Sequence, residues 1–261
     1  MFRSLATAAT GMEAQQTKLD VTANNIANVS TNGFKKGSAE FADLMYQNER
    51  AAGTATGNGT MAPSGTEIGL GTRLVSTVRD QSQGQLNQTG GTLDVAIQGK
   101  GYFQVTMPDG SMAYTRNGSL QMDSTGKLVT TDGYAVGGDI TIPADAQSVT
   151  IAANGQVSVT EPNQSQATVL GQLQLATFAN PGGLEGQGSN LFRETSASGT
   201  AVLSNPSEGG AGSLQQGMLE TSNVNVVNEM VDLIAGQRAY EVNSRVVKAA
   251  DDMLSDIAQL H

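Results

Sequence analysis

Few residues of this chain could carry chemistry. His261 is its only histidine and its last residue, and it has no cysteine. A Ser–His relay and a Cys/His zinc site are thereby excluded in practice, and no disulfide can form. Carboxylates remain. Two facing carboxylates can cleave a glycoside, one as acid and the other as base or nucleophile, and Asp109, Asp123 and Asp132 are the candidates. Asp109 and Asp132 each precede a glycine, and Asp123 opens Asp-Ser-Thr-Gly. In such turns Asp bonds to nearby backbone, which explains its presence without catalysis. Gly99-Lys100-Gly101 is followed by a strand pattern, Tyr102-Phe103-Gln104-Val105, and not by the helix of a dinucleotide fingerprint. It reads as a tight turn. The expectation is a protein with no catalytic residue, metal or cofactor. A β-rich carbohydrate-binding or hydrolysing protein is the alternative of a different class.

The charge balance narrows the partners. The net charge is −10, with 15% of the 261 residues charged and 32 glycines. Residues 1–50 carry five acids and five bases, residues 51–220 thirteen and six, and residues 221–261 six and three. No segment is basic, so nucleic acid and anionic membrane are poor partners. No run of 18 apolar residues exists to insert in a membrane. The N-terminus lacks the apolar block and cleavage site of a secretory signal, so the expected export route uses no cleaved signal.

The elements explain the chain better than any reactive group. At the N-terminus two rows repeat every seven residues: Phe2, Ala9, Gln16, Ala23, and Leu5, Met12, Leu19, Ile26. Two such rows form the narrow seam of a coiled-coil-like helix. Asn24, Asn25 and Asn28 then compete for backbone hydrogen bonds, and Gly33, before Phe34, supplies a left-handed exit. At the C-terminus Val226, Leu233, Tyr240, Val247 and Leu254 repeat every seven, beside a smaller, mixed row of Glu229, Gly236, Asn243, Ala250 and Ile257. Asn225 is a good N-cap for this helix. The two long helices hold few large apolar residues and many Ala, Gly and Asn. That favours packing among several chains over a monomeric hairpin.

Between them the period changes to two. Short alternating segments run from Arg73 to Leu219, with turn chemistry at Pro108-Asp109-Gly110, Asp123-Ser-Thr-Gly126, Asp132-Gly133 and Asn154-Gly155. Asn117-Gly118 is the best short hairpin signal. Residues 180–213 read as Gly- and Ser-rich with few strands. The fold class is therefore mixed: terminal α-helices around a central all-β domain, a sandwich or irregular barrel. From Gly53 to Gly71, eleven of nineteen residues are Gly, Ser or Thr. This stretch is either a flexible linker or an extended arm that orders against a partner. The expected domains are 1–35 (assembly helix), 36–72 (arm), 73–220 (β domain) and 221–261 (assembly helix).

The Asn-rich segment Ala23 to Lys35 resembles the N-terminal signature of bacterial flagellar rod and hook proteins. Glu220-Thr221-Ser222-Asn223-Val224-Asn225 and Gln237-Arg238-Ala239-Tyr240-Glu241-Val242-Asn243-Ser244 resemble their C-terminal signature. Asp94 to Phe103 and Tyr114 to Leu120 resemble their β core. The resemblance spans the chain in order and is nearest to the distal-rod branch, with a hook or proximal-rod paralogue as the near alternative. It implies a structural subunit whose terminal helices pack with those of other copies into a tube. It further implies type III export and a place in the basal body across the periplasm. The implied neighbours are proximal rod, hook and surrounding P/L ring proteins. The distal-rod branch carries an extra stretch that stiffens the rod, here about residues 46–65, including Tyr46, Pro63 and Gly65.

Overall fold

The structure, a computed structural model, describes residues 2–57, 60–61, 63–137, 140–162 and 166–259. His261 and the side chain of Ile257 lie outside that description. One long helix stands at each end, α1 (Phe2–Ala27) and α2 (Val226–Gln259), with a β-rich region between. The chain divides into two units. The first is Met1–Ala27, Gly37–Val78 and Asn225–His261; the second is Asn28–Lys36 and Arg79–Val224.

In the first unit α1 and α2 pack against one another. Leu19 lies over Gly236 and Asn243 over Gly11, so numbers rise on one helix as they fall on the other and the pair is antiparallel. Each helix supplies a glycine into which the other sets a side chain. A Cβ on Gly236 would come within 3.0 Å of Leu19 Cδ2, and one on Gly11 within 3.0 Å of Asn243 Nδ2. The strands Gly37–Asp43 and Thr72–Arg79 form a two-stranded ribbon, and Tyr46–Arg50 pairs with Thr66–Gly69 in another. Ala55–Gly57 pairs with Thr60–Met61. The glycine- and threonine-rich stretch thus contributes three short paired strands, Ala55–Gly57, Thr60–Met61 and Thr66–Gly69, where Thr suits a pleated backbone, with turn or irregular residues between them.

The second unit is antiparallel β. Its main sheet has nine strands and centres on Tyr102–Thr106, which pairs with Met112–Thr115, Ala135–Val136 and Leu175–Thr177. A three-stranded sheet holds Ser148–Ile151, Gln156–Thr160 and Thr168–Gln172. One buried core includes Val95, Ile97, Phe103, Val105, Leu128, Val157, Leu173, Leu175 and Leu214. A smaller cluster stacks Tyr102, Tyr114 and Phe192 edge-on, with Phe178. The turns at Gly110, Gly126, Gly133 and Gly155 all carry positive φ between +81° and +85°, a conformation that glycine adopts without steric cost.

Two expectations are corrected. Asn117-Gly118 joins no hairpin: Met112–Thr115 pairs with Tyr102–Thr106 and Leu191–Arg193, while Leu120–Met122 pairs with Leu128–Thr130. Gly118 is needed for close approach, since a Cβ there would collide with the Val95 carbonyl. Residues 180–213 hold three strands, Glu185–Gly188, Leu191–Arg193 and Val202–Ser204. Their glycines mask the alternation on which strand recognition depends.

Candidate functional site

Two groups of residues stand out, one in each unit. In the first, α1 buries Ala8, Ala14, Thr22 and Asn25, with Leu5, Met12, Leu19 and Ile26 half-buried beside them. Small residues let the backbones approach. On α2 the mixed row does the inward packing. Glu229, Gly236 and Ala250 are buried and Asn243 half-buried, flanked by half-buried Leu233, Val247 and Leu254. Asn25 ties the pair to the following ribbon: its Nδ2 donates to Gly37 O (2.9 Å) and Glu229 Oε2 (3.1 Å), and its Oδ1 accepts from Gly37 N (2.9 Å). Asn225 caps α2, its Oδ1 accepting from the backbone of Val227 (3.0 Å) and Asn228 (3.3 Å). Acidic Glu229 in the first turn suits the helix dipole.

The opposite face of α2 is apolar and uncovered within the chain. Val227 (69% exposed), Val231 (61%), Ile234 (49%), Val242 (57%), Val246 (43%) and Met253 (49%) recur at helical spacing, with exposed Arg238 in line. Val226 and Tyr240 are exposed too. On α1 the row Ala9, Gln16, Ala23 is exposed, as is Asn24. Single apolar residues on a surface need no explanation, but a row of six along one helix face, interrupted by Arg238, marks an interaction face.

In the second unit the centre is Glu220, at the end of the strand Met218–Glu220. That strand pairs with Leu86–Gln88, and Ser213–Gln216 pairs with Val95–Gln98, so the entry and exit of the β unit run side by side. Glu220 is buried. Its Oε1 accepts from Lys35 Nζ (2.7 Å) and Gly84 N (2.9 Å), its Oε2 from Arg116 Nε (2.8 Å), and its backbone carbonyl from Gly33 N (2.8 Å). Arg116 also donates to the carbonyls of Gly101 (2.6 Å) and Gly99 (2.8 Å), and Lys35 to that of Ser82 (2.7 Å). Burial pushes the Glu220 carboxyl up, but the Arg116 charge and the Lys35 contacts outweigh it, leaving it below the ordinary carboxylate value. Burial also holds the Lys35 ammonium below its ordinary value, against the pull of Glu220.

The junction residues 28–36 are docked by this clasp. Gly33 is buried with φ +72°, and a Cβ there would lie 2.7 Å from Asn117 N. Asn28 accepts from Thr31 Oγ1 (3.2 Å), and Phe34 is half-buried. Asn223 accepts from Lys36 N (2.8 Å) and donates to Asp80 O (3.0 Å); buried Ser222 accepts from Val224 N (3.3 Å). Tyr46 and Pro63 are exposed in the first unit, and Gly65 is half-buried where a Cβ would meet Arg50 O at 2.8 Å. The three candidate aspartates sit in exposed turns. Asp109 accepts from Ser111 N and Oγ, and Asp123 from Ser124 N. No group of residues that could hold a metal occurs among the described residues. Nor is any described helix long and apolar enough to cross a membrane. Sequence reading missed Lys35, Arg116 and Glu220 as a set. Their one signal was a charge inside each otherwise uncharged motif.

Family models match in three places: a flagella basal body rod protein domain at residues 5–35, the flagellar hook protein FlgE/F/G D1 domain at 96–159, and the flagellar basal body rod FlgEFG protein C-terminal domain at 215–260. The flagellar basal-body rod protein FlgG of Buchnera aphidicola (from Acyrthosiphon pisum) is 48% identical over 260 residues, covering 100% of both chains. The chain belongs to the FlgG family of flagellar basal-body rod proteins. FlgG of Agrobacterium fabrum is 48% identical over 99% of both chains, and that of Bacillus subtilis 44% over 100% of this chain and 99% of its own. The clasp falls within the matched regions at Lys35 and Glu220 and, through Arg116, in the D1 match. The α2 stripe falls within the C-terminal match.

Proposed function

We propose that this structural subunit of the flagellar distal rod polymerises through the outward faces of its paired terminal helices into a straight, stiff tube that transmits motor torque to the hook. The observation that carries the reading is the α2 stripe Val227, Val231, Ile234, Val242, Val246 and Met253, apolar and uncovered in the single chain. Covering each such side chain contributes up to about 1.5–3 kcal/mol. Exposed Ala9 and Ala23 on α1 leave room for a neighbour's larger side chains. A contact between unlike faces that does not close on itself generates a helical filament. The work is mechanical, with no chemical step. Leu5, Met12, Leu19, Ile26, Leu233, Val247 and Leu254 hold the pair that presents this face, and Arg238 lies on it. The stretch around Tyr46, Pro63 and Gly65 stiffens the polymer. The partners are further copies, proximal rod and hook proteins and the surrounding P/L rings, and the subunit reaches the periplasmic part of the basal body by type III export.

Ile234→Asp tests this reading, because the residue is half-exposed and its loss leaves no cavity inside the pair. The variant is expected to keep its folded β unit by circular dichroism but to form no rods under the electron microscope. Rods of normal yield and length would show that this face is not the assembly surface.

A further inference from the structure

Within the second unit a cleft of about 570 Å³ is lined by Gln81, Gln83, Lys100, Tyr102, Arg116 and Phe178, among others. Its charged lining residues are both cationic, on a chain of net charge −10. Most of its polar groups are already committed. Gln83 donates to Ile97 O (2.9 Å) and accepts from Gly99 N (2.9 Å), and Gln81 accepts from Tyr102 Oη (2.7 Å). Arg116 shares Glu220 with Lys35, so two cations balance one carboxylate behind the wall. Lys100 differs. It is exposed, held between Gly99 and Gly101 at φ +108° and +133°, and has no carboxylate partner among the described residues. Glu208 is next in sequence to the lining residue Gly209, but its carboxylate takes the Asn205 amide. The cleft therefore offers half-buried Phe178, edge-on at 5.7 Å to buried Tyr102, whose ring Arg116 faces, beside one available ammonium.

We propose that this cleft seats the turn Pro108-Asp109-Gly110 of a second copy of the chain, with the proline on Phe178 and the Asp109 carboxylate on Lys100. The turn is exposed, and Asp109 is fixed by Ser111, which donates from both N (2.9 Å) and Oγ (2.6 Å). Those bonds hold its carboxyl below the ordinary value and so ionised. The placement favours a second copy over an unrelated acidic peptide. Tyr102 begins the strand Tyr102–Thr106, and the turn follows that strand's other end, before Met112–Thr115. Receptor and ligand thus lie at opposite ends of one hairpin, roughly 17 Å apart at the usual strand rise. Such a contact joins unlike surfaces and so runs head to tail, and repeated without closure it builds a filament. The inference rests on the polymer reading and assigns the β units a contact of their own.

A zero-length carbodiimide, which joins an amine to a carboxylate, tests it on the full chain. An equal mixture of ¹⁵N-labelled and unlabelled protein is cross-linked and mapped by mass spectrometry. The expected product is a mixed-isotope Lys100–Asp109 peptide. Rods lacking that link overturn the contact while leaving the polymer reading intact. The link without rods upholds the contact and overturns the polymer reading. Lys100 joined to Asp123 or Asp132 of another copy overturns the choice of turn. Charge reversal gives the second measurement: Lys100→Glu or Asp109→Lys alone should raise the critical concentration for assembly about tenfold, and the two together should recover most of it. A double variant as weak as the poorer single one overturns the pairing.

Discussion

Glu220 accepts two buried cations and a backbone amide with its carboxylate, and a second amide with its carbonyl. Removing the charge while keeping the shape isolates the electrostatic part. Glu220→Gln leaves Lys35 and Arg116 buried without a counter-charge, a loss of about 3–5 kcal/mol for a broken buried pair. The measurement is the urea midpoint of the full chain at neutral pH, which should fall. The pH dependence has a definite sign. The folded carboxyl titrates below its unfolded value, so its contribution is present above the unfolded value and is lost as pH falls through the folded one. The wild-type midpoint should therefore approach that of Glu220→Gln on acidification. Parallel curves would mean that Glu220 is not ionised in the fold. Residues governed by local rules were legible in the sequence: Asn225 caps and Gly33 turns left-handed because both needs arise within a few residues. The clasp was not, because positions 35, 116 and 220 meet only through the pairing of distant strands.

The helix pair shows a different limit. Heptad spacing identified both helices, yet the larger α2 row, Val226 to Leu254, is divided between half-buried and exposed positions, while Glu229, Gly236 and Asn243 meet α1 and Ala250 is buried. Periodicity finds faces but does not say whether a face meets its own chain or another, and a glycine in a seam gives no hydrophobic signal. Gly236→Leu sets two effects against each other. The helix gains about 1 kcal/mol of intrinsic propensity, while overpacking against Leu19, 3.0 Å from the new Cβ, costs about 1–3 kcal/mol. The overlap should win, lowering the thermal midpoint followed at the helical circular-dichroism band. Adding Leu19→Ala should restore it. A rise in the midpoint of the single variant would mean that the helices separate there at little cost.

For the whole molecule the division into units matters more than the division into helix and strand. The junction 28–36 belongs with Arg79–Val224, although α1 immediately before it and the ribbon immediately after belong to the first unit. Its hold is specific: Asn190 Nδ2 donates to Asn32 O (3.1 Å), Gly33 N to Glu220 O (2.8 Å), and Asp80 N to Lys36 O (2.8 Å), with Lys35 on Glu220. A pair of helices with two-stranded ribbons has little core of its own, so in the free subunit we expect the first unit to be cut first by trypsin. Lys18 in α1, Arg50 in the ribbon strand Tyr46–Arg50 and Arg73 in the strand Thr72–Arg79 are among its sites. Buried Lys35 should resist. The expected product is a nicked complex in which a peptide containing residues 28–36 co-elutes from gel filtration with the 79–224 body and separates from it only in denaturant. In Glu220→Gln the same peptide should be lost during gel filtration. Early cleavage at Lys35 in the wild type, or loss of the peptide without denaturant, would mean that the junction docks only in the assembled rod.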